Sequence, residues 1–275
     1  MIDEILVCLD GSSFAEAILP YARGIGRSLK AKLTMLRVVD REEELSAARE
    51  YLQSFAERCG AEAQLKMAET DAASAILAEV RQKPFALAAM TTHGRTGMLE
   101  ALVGSVAFSV ARGAGRPLLL YRPPAHALTA NPEAEIKITS VVATLDGQEF
   151  SEKILPYAAE MAQALKARLE LVQALPVAGI ESRIPPELGR DVLETSYLYQ
   201  QAQVIREKHG LKVDWDVLHG EPADAITHYL EGRLDVLLVM TSHARAGLER
   251  AIFGSVAREC VRRAKVPLLL YWPNQ

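Results

Sequence analysis

The sequence predicts an α/β fold built twice, as two tandem five-stranded parallel sheets covered by helices, and three observations carry that expectation. Short apolar runs rich in β-formers alternate with amphipathic stretches, the pattern of right-handed strand–helix–strand crossovers in a parallel sheet. The pattern then returns, with LDGSSFAEAILPYA from Leu9 reappearing as LDGQEFSEKILPYA from Leu145, an offset of 136. Further on, MTTHGRTG from Met90 returns as MTSHARAG from Met240, while GSVA and PLLLY return from Gly254 and Pro267, all at an offset of 150. Such a unit is far longer than the roughly 20–50 residues of a solenoid repeat, so each copy is expected to have its own core. The expected domains are residues 1–122 and 136–275, joined by a linker at 123–135 rich in proline and small polar residues.

Composition narrows the class. A hydrophobic fraction of 49% with 24% charged residues is that of a globular chain, and excludes a disordered or collagen-like one. A net charge of -4 gives no pull toward nucleic acid or anionic lipid. No apolar run reaches the ~18 residues of a membrane span, and MIDEILVCLDGSS lacks the basic start of a signal peptide, so a cytoplasmic protein is expected. Cys8, Cys59 and Cys260 are odd in number and scattered, which reads as free thiols in a reducing compartment.

Element by element, EILVCL reads as a buried strand. Phe14, Ala17, Ile18, Tyr21, Ala22 and Ile25 recur at three- and four-residue steps, predicting one helix over Ser13–Leu29 kinked at Pro20, and Pro156 repeats that kink. A strand over Lys32–Val39, a helix over Glu42–Cys59, a strand over Glu62–Ala68 and a helix over Asp71–Arg81 capped by Thr70 follow. The unit closes with a strand over Phe85–Thr91, a glycine-bearing loop, a helix over Gly104–Arg112 and a strand over Pro117–Tyr121. The change of offset places fourteen extra residues in the second copy around Pro176–Arg190, read as an irregular loop lying over that copy's rim as a lid or partner surface.

Ligands of open parallel sheets bind beyond the carboxyl ends of the strands. Two segments of the first copy fall there. Leu9-Asp10-Gly11-Ser12 ends the first strand with a carboxylate and a flexible turn, and Met90–Gly97 ends the fourth, followed by Gly104-Ser105-Val106 at a helix start. Glycine lets backbone N–H groups approach a ligand, and a helix N-terminus offers unpaired donors to an anion. With Arg95 and the Ser105 hydroxyl as further donors, this describes a phosphate cradle, and Asp10 would accept from a ribose hydroxyl. His93 and His243 read as loop-organising residues rather than catalytic ones. His219 and Glu221 are too few for a metal site.

These motifs together, a strand ending in Asp-Gly-Ser, a T-x2-G-x9-G-S spacing and a final Pro-apolar strand, resemble the universal stress protein family, over nearly all of both copies. The resemblance implies a flavodoxin-like sandwich of the adenine nucleotide alpha hydrolase type, with strand order 3-2-1-4-5. It also implies bound ATP or ADP, with Mg²⁺ as an accompanying ion. The family's phosphate motif falls on Thr91, Gly94, Gly104 and Ser105, its acid on Asp10, and its base-side contacts near Val38 and Met90.

The departures are informative. Thr91 stands where the motif's first glycine belongs, and in the second copy Thr241 and Ala244 replace both early glycines, leaving Gly254-Ser255, while Gln148 replaces Ser12. At most one nucleotide per chain is therefore expected, in the first copy. Three functions stay open: a nucleotide-sensing regulator acting on a protein partner, an interaction scaffold without nucleotide, and a nucleotide hydrolase or transferase. No activated nucleophile, positioned base or paired-carboxylate metal site is legible, so no catalytic or metal-ligating residue is assigned. The apolar strands at 118–121 and 268–271 are expected to pair the copies as an intramolecular pseudo-dimer, with a further homodimer open.

Overall fold

The computed structural model describes residues 2–92, 104–124, 131–176, 186–242 and 254–273, and for 186–194 the backbone alone. The chain forms two compact units, one of Met1–Ile138 with Pro267–Gln275 and one of Thr139–Val266.

The first unit runs β1 (Glu4–Leu9), α1 (Ser13–Glu16), α2 (Leu19–Leu29), β2 (Lys32–Val39), α3 (Leu45–Cys59), β3 (Glu62–Met67), α4 (Ala72–Gln82), β4 (Ala86–Thr91), α5 (Ser105–Gly113) and β5 (Leu118–Tyr121). Its sheet order is β3-β2-β1-β4-β5, followed by the chain's last strand, β10 (Leu268–Tyr271). The first five strands are parallel. β10 lies antiparallel to β5, with Leu269 opposite Leu119. The second unit runs β6 (Ser140–Leu145), α6 (Glu149–Glu152), α7 (Leu155–Leu165), β7 (Arg168–Leu175), α8 (Pro186–His209), β8 (Val213–His219), α9 (Pro222–Tyr229), β9 (Val236–Thr241) and α10 (Ser255–Arg263). Its strands are ordered β8-β7-β6-β9 and run parallel. This is the α/β class and strand order that the sequence predicts.

The strands are apolar where helices cover both faces. Ile5, Leu6 and Val7 of β1 and Val141, Val142 and Ala143 of β6 are fully buried. β3 mixes exposed and half-buried residues. Three expectations need correction. The helix predicted across Pro20 is two helices, because α1 stops at Glu16 and Pro20 sits in the first turn of α2, where its missing N–H costs nothing. Pro156 does the same at α7. The cap of α4 is Asp71 rather than Thr70, its Oδ1 accepting from the Ser74 N–H at 2.8 Å. In the region read as an irregular loop, Pro186–Arg190 is instead the opening of α8, with proline again at a helix start. The insertion therefore lengthens a helix to 24 residues where α3 has 15. Residues 177–185 of it lie outside the described residues.

Candidate functional site

The rim of the first repeat is built from three neighbouring strand ends. In the sheet register Arg37 of β2 pairs with Leu9 of β1, and Val7 pairs with Ala89 of β4, so β1 and β4 end side by side. β1 then enters a turn in which Gly11 has φ +86°, a conformation costly for any residue with a Cβ. The turn is tied by Asp10, whose Oδ1 accepts from the Ser12 N–H at 2.9 Å and the Ser12 hydroxyl at 2.6 Å. Ser12 Oγ in turn accepts from the Ala15 N–H at 3.2 Å and caps α1. Asp10 thus has one carboxylate oxygen engaged in holding the loop that places it.

At the end of β4, Thr91 occupies an extended strand position, paired with Tyr121 of β5. A β-branched residue is at home there, so the loss of the motif's first glycine brings no backbone strain. Met90 is buried at 4% exposure, and Val38 is half-buried. The Thr92 N–H donates to the Tyr121 carbonyl at 3.1 Å, and the Gly104 N–H donates to the Thr92 carbonyl. That second bond draws the start of α5 to the end of β4. The N–H groups of Ser105, Val106 and Ala107 then have no acceptor within the helix, and Ser105 and Val106 are exposed. Such a helix start favours an anion through its donors and its dipole. Of the residues singled out from sequence, Asp10, Val38, Met90, Thr91, Gly104, Ser105 and Val106 lie in elements that end or begin at this rim. His93, Gly94, Arg95 and Gly97 lie outside the described residues, as do His243, Ala244 and Gly247.

Sequence reasoning missed Arg37. Its residue exposure is 9%, its guanidinium lies over the Tyr51 ring at 5.1 Å, and a Cβ on Gly11 would stand 2.9 Å from its Nη1. The Tyr51 hydroxyl donates to Glu16 Oε1 at 2.7 Å, tying α3 to α1. Burial first, and then this bond and the Glu16 charge, push the Tyr51 hydroxyl well above its ordinary pKa, so it stays a neutral donor. The available signal was a charged residue inside the apolar run MLRVV, matched by a polar one, Gln173, inside LVQAL of the second copy.

The second repeat keeps the turn and changes what surrounds it. Asp146 Oδ1 accepts from the Gln148 N–H at 3.0 Å and Gly147 has φ +78°. Gln148 makes no side-chain cap; Ser151, inside α6, donates to the Gln148 carbonyl at 2.8 Å and accepts from the Asp146 N–H at 3.2 Å. Gln173 is the register partner of Leu145, as Arg37 is of Leu9.

Thiol chemistry has no support at these sites: burial pushes the Cys8 and Cys260 thiols up to about 12, far from a thiolate at neutral pH. Among the described residues, no three His, Cys, Asp or Glu side chains gather as a metal-binding group. His219 ends β8, and Pro222 opens α9 behind Glu221, a strand end and a helix start. No described helix is long and apolar enough to cross a membrane.

Known proteins match over the whole chain. A universal stress protein of Synechocystis sp. is 24% identical over 297 aligned residues, covering 97% of this chain and 99% of that protein. The crystal structure of a universal stress protein from Archaeoglobus fulgidus superposes with a TM-score of 0.72 at 20% identity, covering 99% of each chain. A second structure, a universal stress protein from Archaeoglobus fulgidus in complex with dAMP, covers 49% of this chain and 98% of its own at 26% identity and a TM-score of 0.37. The model of the universal stress protein family matches twice, over residues 1–122 and 137–271. With a repeated Asp-Gly turn, a repeated Gly-Ser helix start and both halves matched, the chain belongs to the universal stress protein family, as a tandem member.

Proposed function

We propose that the first repeat binds an adenine nucleotide, ATP or ADP, at the rim of β1 and β4, and that its occupancy biases a protein partner in a cytoplasmic stress response. One observation carries this reading: the Asp10–Ser12 turn and the exposed N-terminal turn of α5 lie at the ends of adjacent strands. A carboxylate for a sugar hydroxyl and helix N–H groups for phosphates are what a nucleotide requires of a site. Asp10, Val38, Met90, Thr91, Gly104, Ser105 and Val106 would line it, with Gly94 and Arg95 completing the phosphate loop. Mg²⁺ would be held chiefly by the phosphates and water, as is usual for this ion.

The second repeat is proposed as a non-binding copy with a scaffold role, supported by Ala244 and Gln148 at the matched positions. The boundaries 1–122 and 136–275 with a linker at 123–135 are part of the proposal. So is an intramolecular pseudo-dimer of the repeats, which the antiparallel pairing of Leu118–Leu120 with Leu268–Leu270 supports. Native mass spectrometry of the full chain tests the nucleotide assignment. One nucleotide per chain on adding ATP or ADP is expected, and a bare protein at millimolar nucleotide sinks the reading.

A further inference from the structure

The guanidinium of Arg37 is buried and makes no ion pair among the described residues. Its Nε is buried and has no hydrogen-bond partner. Its one contact of note among the described residues is the face of Tyr51 at 5.1 Å. Stacking on an aromatic face offsets a part of the desolvation of a charge, but leaves the in-plane N–H fork of an arginine unused. That fork lies against the Asp10–Gly11 turn, where glycine leaves room for it. Tyr51 is held by its bond to Glu16, so the ring under the guanidinium is fixed. A planar, pre-oriented pair of donors at the carboxyl rim matches the oxygens of a phosphate or carboxylate.

The second repeat gives an independent view of the same position. Gln173 is 3% exposed and its Oε1 is likewise buried and unpartnered. Both repeats therefore carry, near the end of their second strand, a buried polar side chain with one atom unpartnered among the described residues. Most buried polar atoms of folded proteins are satisfied. The two differ in charge, and only the first can recognise an anion.

We propose that Arg37 contacts an anionic group of the ligand in the first repeat and makes that site select a nucleotide over the corresponding nucleoside. This rests on the nucleotide reading above and adds to it a contact on β2, apart from the start of α5. Calorimetry on the full chain with AMP and adenosine as the paired probes tests it. The wild type is expected to bind AMP at least about ten-fold tighter than adenosine. Arg37→Gln, the side chain that the second repeat carries, should narrow that preference by weakening AMP and leaving adenosine unchanged. Arg37→Lys keeps the charge without the fork, and should fall between. Equal binding of AMP and adenosine by the wild type, or an Arg37→Gln chain that loses both ligands in parallel, overturns the role of Arg37 while leaving the nucleotide reading intact. A chain that binds neither probe, and no ATP or ADP either, defeats the nucleotide reading instead. The anion site is then judged with pyrophosphate by thermal shift: a rise in Tm that Arg37→Gln removes supports it, and no rise overturns it.

Discussion

In the first repeat the turn after β1 is closed by Ser12, which both caps α1 and bonds Asp10, with Arg37 packed over Gly11; in the second, Ser151 closes the turn from within α6 and a neutral Gln173 stands in place of the arginine. Around Glu4 and Ser140, which open β1 and β6, the repeats also differ, but there an ion pair is kept in each. Lys83 pairs with Glu4 at 2.7 Å and Glu79 at 3.4 Å, and Lys66 also reaches Glu79. In the second repeat Arg233, Ser140 and Tyr229 stand for Lys83, Glu4 and Glu79, Asp216 stands for Lys66, and an acid appears at Glu170, where the first repeat has Thr34. Glu170 accepts from Arg233 at 2.7 and 3.0 Å, from Tyr229 at 2.7 Å and from Ser140. One ion cluster is rewired around Glu170, as expected of a structural feature. At the rim, Arg37 and Gln173 each leave an unpartnered buried atom. At the rim the repeats thus differ in charge, a buried cation in the first standing where the second is neutral.

The comparison can be broken first at α2. A Cβ on Gly24 would fall on the carbonyl of Ile136, whose N–H donates to the Pro20 carbonyl at 2.9 Å. Arg23 and Arg27 hold the neighbouring Glu135 at 3.3 and 2.8 Å. Gly24→Val should therefore cost more than about 3 kcal/mol in chemical denaturation. The matched residue of α7 is the exposed Glu160, where the same substitution should stay within about 0.5 kcal/mol. Equal costs would mean that the packing of Ile136 on α2 contributes nothing.

Next in size is Glu170. Burial raises its pKa, but the bonds from Arg233, Ser140 and Tyr229 outweigh that and bring it down to about 2 from an ordinary 4.5. A depressed carboxylate stabilises the fold above its unfolded value, and that stability is lost as pH falls from about 4.5 through about 2. Glu170→Gln should cost about 2–3 kcal/mol at pH 7 and flatten the acid limb of stability between those values. An unchanged acid limb would contradict the assignment. At the matched site the Thr34 hydroxyl is buried beside Glu4, so Thr34→Val should cost no more than about 1 kcal/mol. The smallest expected effect is at the caps. Ser12→Ala should cost about 1 kcal/mol, and Gln148→Ala, which removes no cap, less than about 0.5 kcal/mol; thermal melts of the two variants compare them directly.

Much of the fold was legible because its signals are local and appear twice. The strands over Glu4–Leu9 and Lys32–Val39 fall where the apolar runs predict. The break before Pro20 was hidden because the apolar period of Phe14, Ile18, Tyr21 and Ile25 runs through it: both helices face the same core. Pro186 read as a loop former for a related reason, since proline suits a loop and a first helical turn alike. At the site, the glycines and the Asp-Gly turn announced themselves as a motif, whereas Arg37 belongs to no local pattern. Its partners Gly11 and Tyr51 come from other segments, and only strand pairing and the packing of α3 bring them together.

The central claim, one nucleotide held by the first repeat, is tested most directly at the two matched helix starts. Ser105 and Ser255 are both exposed first residues of their helices, behind Gly104 and Gly254. An acid there favours the helix, so Ser105→Glu and Ser255→Glu should both fold, while each places a negative charge where phosphates would sit. Calorimetry with ATP should give one site per chain for the wild type, loss of that site in Ser105→Glu, and an unchanged isotherm in Ser255→Glu. Two sites per chain, or a loss confined to Ser255→Glu, would contradict the account.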